Sequence, residues 1–311
     1  MDVARVHRLV LHRDLDNVGA AMPYLQAGSL CDLIETLWAT PEAEFVRLAE
    51  TLRFVPILQD QLPPEVRATD EQIEQLYEAV VERWARTGLG RFQWWFRRDE
   101  QRYDERSPRW NIELIVQAAY QEAAIFLSRC ARHGWTPQGD TAITVLGVEA
   151  FRLAPALAPQ FGAYKGIELR PKDVAIGGEC LASHDIGNAE LASIAGQRGA
   201  LPACDLFYSV GALQYAPPPM MIDLLDAALR SLNEGGLAYV QLPCQIHGYA
   251  FDTERYLAGE GRDPSGEIHA IRQQDVLALM ERHGLAVLEV FPDGALERFG
   301  LSYVFLGRKR R

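Results

Sequence analysis

The chain has few of the features that mark the commoner special classes of protein. It has five cysteines, Cys31, Cys130, Cys180, Cys204 and Cys244, an odd number standing far apart with no CxxC spacing. That pattern supports neither a disulfide framework nor a zinc site and points to a reducing, cytoplasmic compartment. No Walker phosphate loop and no metal-ligand cluster occurs. Positive charge is also short: Lys+Arg total 31 against Asp+Glu 42, a net charge of −11. This disfavours general nucleic-acid or anionic-membrane binding by the whole body. Long apolar runs are missing too. The charge-free stretches 206–222 and 235–251 carry Pro217–Pro219, Gln241, Pro243 and His247, so neither reads as a membrane span. Residues 1–16 mix Arg5, Arg8, Arg13 and Asp14 into their apolar positions, which is no signal-peptide core.

What is present is enough for a sizeable core. Of 311 residues, 48% are hydrophobic and 23% charged, a length and balance that fit two ordinary domains. The character changes near residue 135. Before it, the pattern is helical: Thr69 and Gln72 form a capping-box signature, and Ile73, Leu76, Tyr77, Val80, Val81 and Trp84 then repeat at three- and four-residue spacing. Further helices are predicted near 29–39, over 41–53 and over 108–133, the last ending at Gly134. Residues 1–135 therefore read as an all-helical N-terminal domain serving as a lid, in substrate selection or in homodimer contact.

Beyond residue 136, short β-rich runs alternate with helical ones. Ala142–Gly147, Tyr164–Leu169, Asp205–Val210 and Leu237–Leu242 read as strands, and Glu179–Ser183 is strand-like. Leu153–Ala158, Met221–Leu232 and Gln273–His283 carry helical spacing. Asn233–Gly236 reads as a turn. Leu285–Phe291 and Ser302–Leu306 should form a terminal antiparallel pair, having only a loop between them. Gly177-Gly178 predicts that the helix between the second and third strands is shortened or absent. Strand–helix alternation of this kind gives a mostly parallel α/β sheet with right-handed crossovers, and such a sheet binds ligands at the carboxyl ends of its strands.

Four stretches in 140–307 resemble class I S-adenosylmethionine-dependent methyltransferases. They are Val145-Leu146-Gly147 through Ala158; Gly166-Ile167-Glu168-Leu169-Arg170-Pro171; Cys204–Gly236, which is similar to the family's fourth strand through its turn into the fifth; and Ile268-His269-Ala270 with 273–306. The resemblance implies a Rossmann-like seven-stranded sheet in residues 136–311. It also implies S-adenosylmethionine as cofactor and methyl transfer to an O or N atom of a small-molecule substrate. Glu168 would then accept hydrogen bonds from the ribose hydroxyls, Asp185 would lie close to the adenine, and Ser209 and Gly211 would border the cofactor.

The family's GxGxG turn is replaced by Gly147-Val148-Glu149-Ala150-Phe151. Glu149 either repels the cofactor's carboxylate, at a cost of about 4 kcal/mol for like charges near 4 Å at an effective dielectric of about 20, or pairs with its amino group or sulfonium. Phe151 fills space that a glycine leaves open. Two other readings stay open beside methyl transfer: a catalytically inactive partner-binding or structural unit, and non-methyl chemistry such as cyclisation. His247 and His269 are candidate general bases, since imidazole titrates near neutrality. Tyr215 and Tyr249 are candidate partners for a polar substrate. The segment Arg91–Arg109 interleaves arginines and aromatics, but Asp99, Glu100, Asp104 and Glu105 offset most of its charge, so a contact with internal ion pairs is the plainer reading.

Overall fold

The computed structural model describes residues 63–86, 108–196, 198–260, 267–296 and 300–310, together with Leu37. The helices expected over 29–39 (Leu37 apart) and 41–53, and the segment Arg91–Arg109 up to residue 107, lie outside the described residues. Leu62–Arg311 forms one compact unit and Met1–Gln61 another. The sequence changes character near residue 135, but the unit that contains the sheet begins earlier and includes two helices that precede it.

Helix α1, Asp70–Arg86, opens on the predicted box: Thr69 N–H donates to Gln72 Oε1 (2.9 Å) and Gln72 N–H to Thr69 Oγ1 (3.2 Å). Its apolar stripe, Leu76, Tyr77, Val80 and Trp84, is buried in the core on one face of the sheet. Helix α2, Pro108–Arg132, buries Val116, Ala119, Ala123, Phe126 and Cys130. Four of these join the core of the opposite face. It ends at Gly134, whose positive φ of 68° supplies the left-handed turn out of the helix.

The strands are β1 Ala142–Gly147, β2 Ala163–Glu168, β3 Ala189–Ser193, β4 Cys204–Ser209, β5 Leu232–Ile246, β6 Leu285–Pro292 and β7 Gly300–Lys309. Their order across the sheet is β3-β2-β1-β4-β5-β7-β6, with β7 antiparallel to both β5 and β6 and the rest parallel. The seven-stranded sheet with its antiparallel terminal hairpin is thus as expected. Chain order reverses between β1 and β4, which opens a crevice at their carboxyl ends. The pleat divides the side chains cleanly. Phe207, Ala238 and Val240 join the core that holds α1, while Leu206, Tyr208, Leu237 and Tyr239 join the core that holds α2.

Between the strands lie α3 Ala154–Leu157, α4 Pro171–Ser183, α5 Pro218–Ser231, α6 Thr253–Leu257 and α7 Gln273–Arg282. Two expectations need correcting. The helix between β2 and β3 is present as α4, and Glu179–Ser183 is its last turns, not a strand. Gly177-Gly178 do not break it: a side chain at Gly177 would run into Phe151 and Leu191, so the glycine sets how closely α4 approaches its neighbours. The turn expected at Asn233–Gly236 is instead the opening of β5. There Asp205 holds the amino ends of three strands together, accepting from Ala142 N–H (2.8 Å) and Asn233 Nδ2 (2.8 Å). Among the described residues no helix is long and apolar enough to cross a membrane.

Candidate functional site

Two groups of polar side chains meet beyond the carboxyl ends of the strands. The first lies over β1 and β2. Gly147 and Glu168 stand opposite each other as the last residues of those strands. Glu149 follows in the left-handed region (φ 59°, ψ 43°), where a side chain costs about 1–2 kcal/mol relative to the right-handed one. That backbone bend carries the next two amides over the end of β2. The Glu168 carboxylate accepts from Ala150 N–H (3.0 Å) and Phe151 N–H (2.8 Å), one amide per oxygen, and is 0% exposed.

Arg170, also 0% exposed, lies beside it. Its Nε donates to Asp173 Oδ2 (2.7 Å), and its Nη2 reaches Asp173 Oδ1 (2.5 Å) and Glu149 Oε1 (3.4 Å). Two carboxylates, Glu149 and Asp173, therefore share one guanidinium in a buried cluster, beside a Glu168 held by amides. Burial pushes Glu168 up to about 8, raised further by Asp173 and opposed by the two amide bonds. Burial also pushes Glu149 up to about 7, against the pull of Arg170. Asp173 is raised by burial as well, with the Arg170 hydrogen bond opposing. Phe151 points elsewhere: its ring packs with Val116 and Cys180, and with Ile176 and Leu191, on the α2–α4 side.

The second group lies over β4 and β5. Ser209 ends β4, fully buried, and its hydroxyl has no hydrogen-bond partner among the described residues. Gly211 N–H donates to Gln241 Oε1 (2.8 Å), and Gln241 Nε2 in turn to Ser302 Oγ (2.5 Å). Tyr215 stands edge-on to Trp84, with ring centroids 5.2 Å apart. Its carbonyl accepts from Arg83 Nη2 (2.5 Å), and burial raises its phenol pKa. Arg83 Nη1 also binds Glu267 Oε2 (2.7 Å). Glu267 Oε2 lies 3.3 Å from His269 Nε2, and His269 Nδ1 lies 2.8 Å from Tyr249 Oη.

Phe251, Tyr256 and Tyr249 surround the His269 ring at centroid distances of 5.4, 5.7 and 6.0 Å, all edge-on. Burial lowers the His269 pKa, and Glu267 opposes that shift. His247, just past β5, has a buried Nε2 with no partner among the described residues.

Of the residues singled out from the sequence, Gly147, Glu149 and Glu168 meet in the first group, and Phe151 joins it only through its backbone amide. Ser209 and Gly211 close β4, and Tyr215 and His269 are linked through Arg83 and Glu267. Asp185 is not at this end of the sheet. It occupies the turn after α4, at φ 54°, ahead of the amino end of β3. Its expected place beside an adenine rested on reading Glu179–Ser183 as a strand. Arg170, Asp173, Arg83 and Glu267 were not anticipated. The available signals were the i, i+3 spacing of Arg170 and Asp173 at a helix start, and the i, i+2 spacing that puts Glu267 and His269 on one side of an extended segment.

No protein-family model matches the chain, and no curated protein matches it. Solved structures do. Magnesium protoporphyrin IX methyltransferase from Synechocystis PCC 6803 with bound SAH superposes with a TM-score of 0.51 at 12% identity, over 75% of this chain and 99% of that one. The same enzyme with bound SAM gives 0.51 at 12% identity, over 78% and 98%. A putative methyltransferase from Bacillus halodurans C-125 gives 0.44 at 15% identity, over 60% and 99%. The fold is that of the class I S-adenosylmethionine-dependent methyltransferases.

Set against that nucleoside cofactor, the donor set fits in kind but not in arrangement. Glu168 ends β2 and has two oxygens to offer a ribose. Both oxygens already hold the chain's own amides, the side chain is sealed from solvent, and Glu149 with Arg170 stands over the turn.

Proposed function

We propose that this chain transfers a methyl group from S-adenosylmethionine to an oxygen or nitrogen atom of a small molecule, at the carboxyl ends of its parallel strands. The observation that carries the reading is the acid at the end of β2 facing the turn after β1, at the crevice of a β3-β2-β1-β4-β5-β7-β6 sheet. Each Glu168 oxygen holds one amide and can accept a second donor, so binding would require the turn over Glu168 to open far enough to admit the ribose hydroxyls. The His269 group over β4 and β5 supplies acid–base side chains on the neighbouring strands. Residues 1–135 act in this reading as a lid, in substrate selection or as a homodimer contact. A cytoplasmic location is supported by Cys130, Cys180, Cys204 and Cys244 being free thiols.

A second reading is favoured by one specific observation, the buried Glu149–Arg170–Asp173 cluster beside a sealed Glu168. In that reading the domain keeps the scaffold as a partner-binding or structural unit and takes no nucleoside. Titration calorimetry with S-adenosylmethionine and S-adenosylhomocysteine separates the two. Binding of either supports the enzyme, and absence of heat for both at millimolar ligand ends it. Mass analysis of products then distinguishes a methylated acceptor from non-methyl chemistry.

A further inference from the structure

The group over β4 and β5 has a defined direction. A carboxylate can only accept, so the His269 nitrogen facing Glu267, Nε2, carries the hydrogen (3.3 Å). Burial lowers the imidazole's pKa and keeps it neutral, so Nδ1 is bare and accepts from the Tyr249 hydroxyl (2.8 Å). Arg83, projecting from α1, fixes the far end by binding Glu267 Oε2 at 2.7 Å, and its Nη1 also lies 3.3 Å from Tyr256 Oη. The backbone holds the same register. His269 N–H donates to the Gln214 carbonyl (2.8 Å) and Ile271 N–H to the Pro243 carbonyl (3.1 Å), which ties the segment to the ends of β4 and β5. Tyr249 Oη thus gives its one proton to His269 Nδ1, and its oxygen keeps lone pairs with which to accept. Tyr249 is only partly buried, unlike His269 and Glu267. The unpartnered Ser209 hydroxyl and His247 Nε2 at the ends of the same two strands are the polar atoms a ligand there would satisfy.

We propose that Tyr249, His269 and Glu267, anchored by Arg83, form a proton relay whose outer member, Tyr249 Oη, takes the proton of an acceptor hydroxyl or amine. As that proton reaches Tyr249 Oη, the tyrosine's own proton passes to His269 Nδ1. Tyrosine ends neutral, the imidazole becomes imidazolium paired with the Glu267 carboxylate, and the electron pair left on the acceptor is free to attack. Tyr249 is the catalytic residue of the relay. His269 and Glu267 act through it, and Arg83 is a positioning residue. The use of the relay in methyl transfer rests on the function proposed above, whereas its hydrogen-bond direction does not.

Two measurements on the full chain test it. Nitrogen-15 NMR of histidine-labelled protein should find His269 as the Nε2–H tautomer, with a hydrogen-bonded Nδ1 that moves to the non-bonded position in Tyr249→Phe. An Nδ1–H tautomer, or an Nδ1 unmoved by that substitution, overturns the relay. Methyl transfer from S-adenosylmethionine to a panel of phenols, alcohols and amines should fall about a hundredfold or more in kcat for Tyr249→Phe, with KM nearly unchanged. The acidic limb of the wild-type kcat/KM pH profile, where His269 protonates, should move to lower pH in Glu267→Gln. Wild-type kcat in Tyr249→Phe overturns the relay even where the tautomer is as stated. A wild type that methylates nothing counts against the methyl-transfer reading, and the tautomer then decides the relay alone.

Discussion

The two groups at the strand ends are built on opposite principles. Over β1 and β2, carboxylates are driven out of water and satisfied by the chain itself. Glu168 holds two amides, and one guanidinium serves Glu149 and Asp173. Over β4 and β5, polar atoms form an ordered line that ends at a partly exposed phenol, with Ser209 and His247 unpartnered nearby in the chain's course. The contrast is electrostatic as well. Burial raises the acids of the first group above their ordinary range, whereas in the second it lowers His269, and hydrogen bonds from His269 and Arg83 hold Glu267 low despite its burial. A closed, self-satisfied site stabilises a fold, while an open-ended one is suited to a ligand.

The largest effect should come from breaking the first group. Arg170→Met leaves Glu149 and Asp173 buried without the guanidinium they share and should cost about 3–5 kcal/mol in urea unfolding, the usual cost of removing one partner of a buried pair. The loss should shrink at pH 5, where the carboxylates can protonate; an equal loss at pH 5 and pH 8 would contradict the cluster.

Next in size is the pH response of the wild type. Glu149 and Glu168 bind protons more tightly folded than unfolded, so their contribution is complete below about pH 4.5 and is lost as pH rises through about 7 and 8. His269 has the opposite sign: its folded pKa is depressed, so its contribution is present above about 6.5 and lost as pH falls below that. Unfolding free energies from urea titrations at pH 5 to 9 should therefore decline on the alkaline side by a few kcal/mol. Glu168→Gln should flatten that decline, and His269→Gln should leave it intact while changing the acid side. A free energy that climbs steadily from pH 6 to 9 would refute the assignment.

A smaller change tests whether the first group can be opened. Glu149→Gly removes a left-handed side chain, which by itself should stabilise by about 1–2 kcal/mol, less whatever the 3.4 Å contact to Arg170 supplies. Calorimetry should show S-adenosylmethionine binding appear or tighten. Unchanged or lost affinity would mean that Glu149 is not what closes the turn.

The smallest pair concerns α4. Gly178→Ala meets nothing within 4 Å and should gain up to about 1 kcal/mol, the ordinary helix preference. Gly177→Ala would press on Phe151 and Leu191 and should destabilise. Thermal melts of the two variants should move in opposite directions.

These residues also show how far the sequence could be read. The strand at Asp205–Val210, the Thr69–Gln72 cap and the terminal hairpin are local patterns, so they were legible. Helix α4 was not, because two adjacent glycines carry a helix penalty that only the neighbouring Phe151 and Leu191 explain. Asp185 was misplaced as a direct consequence. Glu168 was legible as a strand-end acid but not as a buried one, since its amide partners depend on the left-handed bend at Glu149. Arg83 and Glu267 are 184 residues apart. No local spacing could have joined them.

The reach of Arg83 has a practical meaning for how this molecule can be divided. Cutting the chain just ahead of β1 would preserve every strand, yet strip Glu267 of its cation and the Tyr215 carbonyl of its donor. The sheet taken alone would keep its outline and lose the clamp on its own histidine, so the helix upstream belongs to the working half of the protein.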